Sequence, residues 1–212
     1  MNKIIDIPSP IDLKDPLHAT QWEKEANLKR PYRIEFFEHY ISQILNHPKP
    51  DVRILELGSG PGFFAYELLR RRPDINYTAV DFSAAMHSLA KQRLAAIPHT
   101  SVDFIIADFK RQDWYTVLNG QRFDYVVIHQ ALHELRHKSY ASDFHKSIAH
   151  HIIQPHGHYL ITDHLAKPDG NMNNIELYMN KDEHFHSLTS AHFKSIHIGF
   201  EIDGLCTFQA HL

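Results

Sequence analysis

Short apolar runs alternate with segments of helical periodicity from residue 51 to the end of the chain. The apolar runs predict seven strands, at 52–57, 76–80, 102–107, 123–128, 158–162, 195–202 and 205–211. Helical spacing of the apolar residues predicts helices at 63–72, 83–97, 111–118, 139–153 and 175–191. Short apolar strands separated by helices are typical of a parallel sheet that is covered on both faces.

Two turn signals complete this pattern. Pro155-His156-Gly157 predicts a turn before the fifth strand, and Asp203-Gly204 predicts a two-residue hairpin between the last two strands. A hairpin makes at least one strand antiparallel. We therefore predict an α/β fold with a seven-stranded, mostly parallel sheet, helices on both faces and an antiparallel C-terminal hairpin strand.

The first 50 residues follow a different pattern. Residues 1–20 are rich in proline and predict an irregular arm, whereas residues 21–46 predict two helices that Pro31 separates. One face of the second helix carries the apolar residues Ile34, Phe37, Ile41, Ile44 and Leu45. We therefore divide the chain into an N-terminal arm with a helical lid at 1–50 and an α/β domain at 51–212.

A glycine-rich turn follows the first strand of the α/β domain. Gly58, Gly60 and Gly62 are three of the eight glycines of the chain and lie within five positions. Glycine lets a backbone approach a ligand closely and adopt φ values that other residues rarely take. The helix that begins after this turn also offers unpaired N–H groups. This stretch is our first candidate for a binding site.

Polar or ionisable residues follow every predicted parallel strand, namely Glu56, Asp81, Asp108, His129 and Asp163. In doubly wound sheets, ligands bind at the carboxyl ends of the strands. Asp81 lies 19 residues after Gly62, which is the spacing of the acid that binds ribose hydroxyls in nucleotide-binding βαβ units. The glycine turn and these acidic strand ends together predict an adenosine site.

Residues 56–62 (ELGSGPG), 79–83 (AVDFS) and 107–109 (ADF) resemble three motifs of the class I S-adenosylmethionine-dependent methyltransferases. The resemblance covers residues 50–212 and implies a Rossmann-like fold, S-adenosyl-L-methionine as cofactor and S-adenosyl-L-homocysteine as product. It departs at His192-Phe193, where a glycine is common in the family. Residues 1–50 would then form the helical lid of a methyltransferase domain at 51–212.

The resemblance implies a role for each candidate cofactor residue. Asp81 would bind the ribose and Asp108 the adenine amine, and the glycine loop would approach the amino acid end. Aromatic and apolar packing around the adenine would come from Phe82, Met86 and Phe109, and two lid residues would cover or bind the methionine part. The full set of expected cofactor-binding residues is Glu56, Gly58, Gly60, Asp81, Phe82, Met86, Asp108, Phe109, His129, Trp22 and Arg33.

The stretch 129–135 resembles the His-Asp motif of small-molecule O-methyltransferases, with Glu134 in place of the aspartate. The resemblance implies that His133 is a general base for an acceptor hydroxyl and that Asp163 orients it. Histidine suits this role because its pKa lies near neutrality and a carboxylate can fix its tautomer. A structural or acceptor-shaping role for His133 remains open, as does methylation at nitrogen or carbon.

Composition limits the partners. The formal charge of −3 is not the basic balance typical of nucleic-acid-binding proteins, and no apolar run reaches the roughly 18 residues of a membrane span. Cys206 is the only cysteine and fits a reducing compartment. We therefore expect a cytoplasmic protein with a small-molecule substrate and neither a nucleic-acid nor a membrane partner. The nineteen histidines show no metal-ligand spacing, so we predict no metal site.

Two other functions fit parts of the pattern. One is a regulatory or scaffold protein that binds the cofactor or its product without methyl transfer. The other is an NAD-dependent oxidoreductase, which the glycine spacing disfavours because a dinucleotide fingerprint has a third glycine three positions after the second. The acceptor and the oligomeric state are not predicted.

Overall fold

The computed structural model describes residues 4–98 and 101–212 of the chain. These residues form two units: a first unit, Pro10–Asp108, and a second unit, which combines residues 4–9 with Phe109–Leu212. Met1, Asn2 and Lys3 of the predicted arm lie outside the described residues. The predicted division at residue 50 stays a prediction.

The first unit contains two N-terminal helices followed by alternating strands and helices. Its elements are α1 (Pro16–Lys29), α2 (Arg33–Leu45), β1 (Arg53–Leu57), α3 (Phe63–Leu69), β2 (Asn76–Asp81), α4 (Ala84–Leu94) and β3 (Val102–Ile106). The strands are parallel in the order β3-β2-β1, with Leu57 opposite Val80 and Asp81 opposite Ile106. This register brings the carboxyl ends of all three strands to one edge, where the glycine loop leaves β1.

The second unit contains the remaining strands. Its elements are β4 (Phe123–His129), α5 (Ala141–Ser147), β5 (Ile153–His164), α6 (Lys181–Ser190), β6 (Ser195–Ile202) and β7 (Leu205–His211). The strand order is β4-β5-β7-β6, with β4 and β5 parallel and β7 antiparallel to both of its neighbours. Asp203 and Gly204 have φ values of 48° and 72°, so the predicted hairpin is confirmed with both turn residues in the left-handed region that such turns require.

Helix α2, predicted as part of the lid, contributes to the core of the first unit. Tyr40 and Phe37 of α2 each place their rings 5.6 Å from the ring of Phe64 in α3, and all three side chains are buried. Burial of each such side chain contributes about 1.5–3 kcal/mol to folding. Helix α2 is therefore fixed against α3. The predicted apolar face is wrong at its two ends, since Ile34 and Leu45 are about 40% exposed.

Helix α1 begins at Pro16, so the predicted irregular arm is wrong for residues 16–20. The Asp15 side chain accepts hydrogen bonds from the backbone N–H groups of Leu17 and His18. Proline at the first helical position lacks an N–H that would have no partner there. The proline that suggested an irregular arm therefore starts a helix.

The turn predicted at Pro155-His156-Gly157 is also wrong, because these residues lie inside β5. Pairing with β4 changes register from Phe123 opposite Ile153 to Tyr125 opposite His158, which accommodates the extra residues as an irregularity in the ladder. A Cβ at Gly157 would lie 2.6 Å from Cγ1 of Ile153. Glycine is therefore needed at this position because a larger residue would clash with the Ile153 side chain.

All five helices predicted after residue 51 are shorter than their patterns indicate, and the one predicted at 111–118 is a 3₁₀ helix at Trp114–Leu118. The segment predicted at 139–153 contains a 3₁₀ turn, helix α5 and a π-helical turn at Ile148–Ile152, and it passes directly into β5. Helix α6 begins at Lys181, where Asn180 and Glu183 form a capping box. The apolar residues between 175 and 180 therefore precede the helix.

Candidate active site

The glycine loop between β1 and α3 is folded against the end of β2. Gly58 and Ser59 both donate backbone hydrogen bonds to the carbonyl oxygen of Val80, at 2.8 and 3.1 Å. All three loop glycines have positive φ, between 53° and 74°. A Cβ at Gly62 would lie 3.0 Å from Cβ of Ala90, whereas a Cβ at Gly60 would meet no atom of the described residues within 4 Å. Gly62 serves packing, and Gly60 presents an open backbone face.

Asp81 at the end of β2 is hydrogen-bonded to this loop. Its Oδ2 accepts from the N–H of Gly60 at 2.8 Å, and its Oδ1 accepts from the N–H of Ser83 at 2.9 Å. The structure therefore brings together the predicted ribose acid and the central glycine. Ser83 also caps α4 by accepting from the N–H of Met86 at 3.1 Å.

Glu56 lies in β1 and is buried beside Tyr77 of β2. The Tyr77 hydroxyl donates to Oε2 of Glu56 at 2.6 Å. Burial, with a further contribution from the charge of Asp81, raises the pKa of Glu56 to about 8. A carboxyl group with such a pKa gains most from a cationic partner. Sequence analysis had not identified Tyr77, whose position on the neighbouring strand becomes informative only once the register is known.

The residues expected around the adenine fall into both units. In the first unit, Met86 is buried in α4, Phe82 is partly buried and Asp108 is exposed after β3. In the second unit, the Phe109 ring lies 5.4 Å from that of Phe144. His129, expected to contact the cofactor without an assigned part of it, ends β4 in the same unit. All contacts of these residues with a cofactor stay predictions.

The predicted lid residues Trp22 and Arg33 lie together in the first unit. The Arg33 guanidinium carbon is 5.6 Å from the Trp22 ring and 5.7 Å from that of Phe63, and its NH1 group donates to the Asn27 side chain at 3.0 Å. Burial lowers the pKa of Arg33 to about 10, with a smaller contribution from Arg30. Arg33 thus stays cationic at neutral pH while only 5% exposed, next to the first residue after the glycine loop.

Two further residues contact the loop and were missed by sequence analysis. Arg93 of α4 donates from Nε to the carbonyl oxygen of Pro61 at 2.9 Å, lies 4.3 Å from the Phe63 ring and forms an ion pair with Glu23 of α1. His87 of α4 places Nε2 3.3 Å from the hydroxyl oxygen of Ser59. Both contacts join positions about 30 apart in sequence, and neither residue lies in a motif.

The second unit contains the predicted catalytic pair. His133 lies in a 3₁₀ turn, Leu132–Leu135, that follows β4, and Asp163 lies near the end of β5. Nδ1 of His133 is 2.7 Å from Oδ1 of Asp163, and the His133 backbone N–H donates to Oδ2 at 2.8 Å. The predicted contact between them is therefore present, and both carboxylate oxygens take part in it.

This geometry determines where the protons lie. Burial would raise the pKa of Asp163, but the adjacent His133 lowers it to about 2, with help from His164. Burial would lower the pKa of His133, but Asp163 and then Glu134 raise it above its ordinary value. Because an ionised carboxylate only accepts, Nδ1 of His133 carries a proton, and Nε2 is the atom of the neutral ring that can take one.

A small cavity of about 10 Å³ adjoins the pair, which is about the space that one water-sized group needs. His133 and Asp163 share its walls with His164, Tyr178 and His184. Tyr178 and His184 come from the segment 164–191, where the sequence shows no motif. They are functional candidates that only the tertiary structure identifies.

His184 is a buried polar side chain without a polar contact. Its ring stacks 4.4 Å from that of Phe208, and neither ring nitrogen has a hydrogen-bond partner in the described part of the chain. Burial lowers the pKa of His184 to about 4, so the ring is neutral at pH 7.

We expect His184→Phe to stabilise the protein. A buried unsatisfied polar group costs about 1–3 kcal/mol, and phenylalanine keeps the stacking on Phe208 without that cost. Denaturant unfolding should show a gain of about 1 kcal/mol in the free energy of unfolding. His186→Phe, on the exposed face of the same helix, should change it little, and a His184→Phe variant less stable than wild type would contradict this account.

Residues 54–157 match the family model described as a methyltransferase domain. Over these residues, about half of the chain, the chain is similar to methyltransferase domains of the class I S-adenosylmethionine-dependent kind. A malonyl-[acyl-carrier protein] O-methyltransferase of Paenibacillus sp. (strain JDR-2) is 27% identical over 119 residues, which are 56% of this chain and 42% of that protein. The match thus spans less than half the length of that relative.

Two solved structures share the fold of this chain. The DhpI–SAH complex has a TM-score of 0.66 at 17% identity and covers 93% of this chain and 95% of its own. An S-adenosylmethionine-dependent methyltransferase from Clostridium acetobutylicum ATCC 824 has a TM-score of 0.66 at 13% identity. The match covers 92% of this chain and 97% of that protein's chain. The predicted fold class is therefore confirmed: a Rossmann-like, seven-stranded, mostly parallel sheet with antiparallel C-terminal strands and N-terminal helices.

Two features that a membrane span and a metal site require are absent from residues 4–98 and 101–212. No helix there has the length and apolar character that crossing a bilayer requires. Nor does any group of three or more histidine, cysteine, aspartate or glutamate side chains in these ranges have the geometry to hold a metal ion.

Proposed function

We propose that the protein transfers a methyl group from S-adenosyl-L-methionine to a small-molecule acceptor, at a hydroxyl oxygen. The observation that carries this proposal is the His133–Asp163 pair, a partly buried imidazole whose orientation and tautomer a carboxylate fixes. The similarity to methyltransferases supports the donor, and this pair supports the chemistry at the acceptor.

The first unit provides groups that fit the donor. Gly60 offers an open backbone face beside Asp81, which suits ribose hydroxyls. Glu56 is a buried acid that suits the ammonium group of the methionine part, and Arg33 is a buried cation that suits its carboxylate. When bound, the cofactor supplies a methyl group that its sulfonium charge already activates.

The second unit provides the base. Methyl transfer to oxygen is an in-line displacement in which the acceptor O–H bond breaks, a carbon–oxygen bond forms and the carbon–sulfur bond breaks. His133 takes the acceptor proton at Nε2 and becomes an imidazolium ion. Asp163 stabilises that ion, because Nδ1 is already directed at its carboxylate. S-Adenosyl-L-homocysteine is the product.

Calorimetric titration tests the donor. We expect the protein to bind S-adenosyl-L-methionine and S-adenosyl-L-homocysteine, and not NAD. If the protein binds NAD and neither of the other two ligands, the result would support an oxidoreductase and contradict the proposed function.

A labelling experiment separates an enzyme from a protein that only binds the cofactor. The protein is incubated with methyl-labelled donor and a metabolite extract, and label should appear in an extracted small molecule. Donor binding without label transfer across several extracts would favour the regulatory or scaffold protein. The cytoplasmic location stays a prediction from composition.

A further inference from the structure

Glu134 follows His133 in the chain and contacts its other ring nitrogen. Oε1 of Glu134 is 3.5 Å from Nε2 of His133, while Asp163 holds Nδ1 on the opposite side of the ring. The imidazole therefore lies between two carboxylates. The second of them faces the atom that would take the proton of an acceptor.

Arg136 contacts Glu134 and the N-terminal segment of the second unit. Its NH1 group is 3.3 Å from Oε2 of Glu134, while Nε and NH2 donate to the carbonyl oxygens of Ile7 and Pro8 at 2.8 and 2.9 Å. Ile7 donates back to the carbonyl oxygen of Arg136 at 2.8 Å. Arg136 also has a φ of 67°, which a non-glycine residue keeps only where its surroundings impose it.

The N-terminal segment has a second attachment next to these contacts. Asp6 forms an ion pair with Lys110 and accepts a hydrogen bond from the Tyr140 hydroxyl at 3.1 Å. Residues 6–8 are thus held at three consecutive positions. The contacts of Ile7 and Pro8 hold the guanidinium group of Arg136 in place. Because this group is 3.3 Å from Glu134, they also fix the cation that faces the Glu134 carboxylate.

We propose that Glu134 is a positioning residue that controls the proton on Nε2 of His133, and that Arg136, held by residues 6–8, opposes it. This inference rests on the proposed function for its catalytic meaning, though the contacts exist without it. An ionised carboxylate only accepts hydrogen bonds, so Glu134 cannot form one with Nε2 while that nitrogen is unprotonated. Once a proton arrives there, the same carboxylate stabilises it.

Several other groups face the His133 ring, and each has a different position or partner from that of Glu134. Asp163 and His164 face it from β5, Tyr178 from the preceding loop of α6, and His184 and Lys138 from the shared cavity. Asp163 already binds Nδ1, and Lys138 is paired with Glu183. Among residues 4–98 and 101–212, Glu134 is the residue whose carboxylate contacts Nε2 of His133.

The test is an NMR titration of the His133 ring, assigned by the signal that disappears in His133→Gln. In Glu134→Gln, the titration midpoint should fall by about 0.5 pH unit or more, because a nearby opposite charge is lost. Glu134→Asp should recover part of the shift. Arg136→Gln should move the midpoint upward, because it removes a cation that disfavours the imidazolium. Glu176→Gln removes a similar charge from His137 and serves as the control, with no shift at His133.

An unchanged midpoint in folded Glu134→Gln, or no recovery in Glu134→Asp, overturns the role of Glu134, and a fall in Arg136→Gln overturns that of Arg136. With an acceptor in hand, the acidic limb of the pH–rate profile should move with the midpoint. The ring titration needs no acceptor, so it decides this inference even if the labelling experiment rejects methyl transfer.

Discussion

Turnover of the His133→Gln variant is expected to fall by about 10²- to 10⁴-fold, the usual effect of losing a general base. Affinity for S-adenosyl-L-methionine should stay near that of wild type, because His133 lies in the second unit and the predicted ribose and amino-acid contacts belong to the first. The measurement is initial methyl transfer at saturating donor, together with calorimetric titration of the donor. Equal losses of turnover and donor affinity would assign His133 to cofactor binding.

The pH dependence of wild-type turnover follows from the same pair. His133 acts as a base only when Nε2 is unprotonated, and its pKa is raised by Asp163 and Glu134 against the opposing effect of burial. The rate should therefore rise with pH through a midpoint above about 6.5, the ordinary value of histidine. His186→Gln changes an exposed histidine of α6 and should keep both the rate and this midpoint.

The Asp81→Ala variant is expected to bind S-adenosyl-L-methionine and S-adenosyl-L-homocysteine about 5- to 150-fold more weakly, which corresponds to about 1–3 kcal/mol. Two effects contribute. The ribose hydroxyls would lose a charged acceptor, and the Gly60 and Ser83 N–H groups would lose the carboxylate that now holds them.

Calorimetric titration of both ligands measures this effect. Asp103→Ala is the matched control, because Asp103 is an exposed aspartate on β3 of the same unit. It should leave both affinities unchanged. Wild-type affinity in Asp81→Ala would show that the ribose site is assigned to the wrong residue.

The glycine loop and its position beside Asp81 were largely predictable because their determinants are local. The glycine turn is a run of five positions, and the acidic residues follow strands whose parallel arrangement brings their ends together. Arg93 and His87 were not predictable, because an isolated arginine or histidine on a helix gives no indication of a loop about 30 positions away. Register and helix packing had to be known first.

The misassigned segments have a related cause. Proline and glycine at 155–157 indicate a turn in sequence, but the same residues fit a ladder irregularity in which Gly157 permits a close approach. Pro16 indicated an irregular arm and instead begins a helix. In each case one residue type suits two backbone conformations, and tertiary contacts select between them.

The hydrogen bonds between Asp81 and the glycine loop have a consequence for the thermodynamics of ligand binding. Gly58 and Ser59 are hydrogen-bonded to Val80, and Gly60 to Asp81, so the partners of these N–H groups all belong to the chain itself. The backbone of the loop is therefore preorganised, and little conformational entropy remains to be lost there when a ligand arrives. Affinity at this loop should then depend chiefly on how well a ligand matches a surface that already exists.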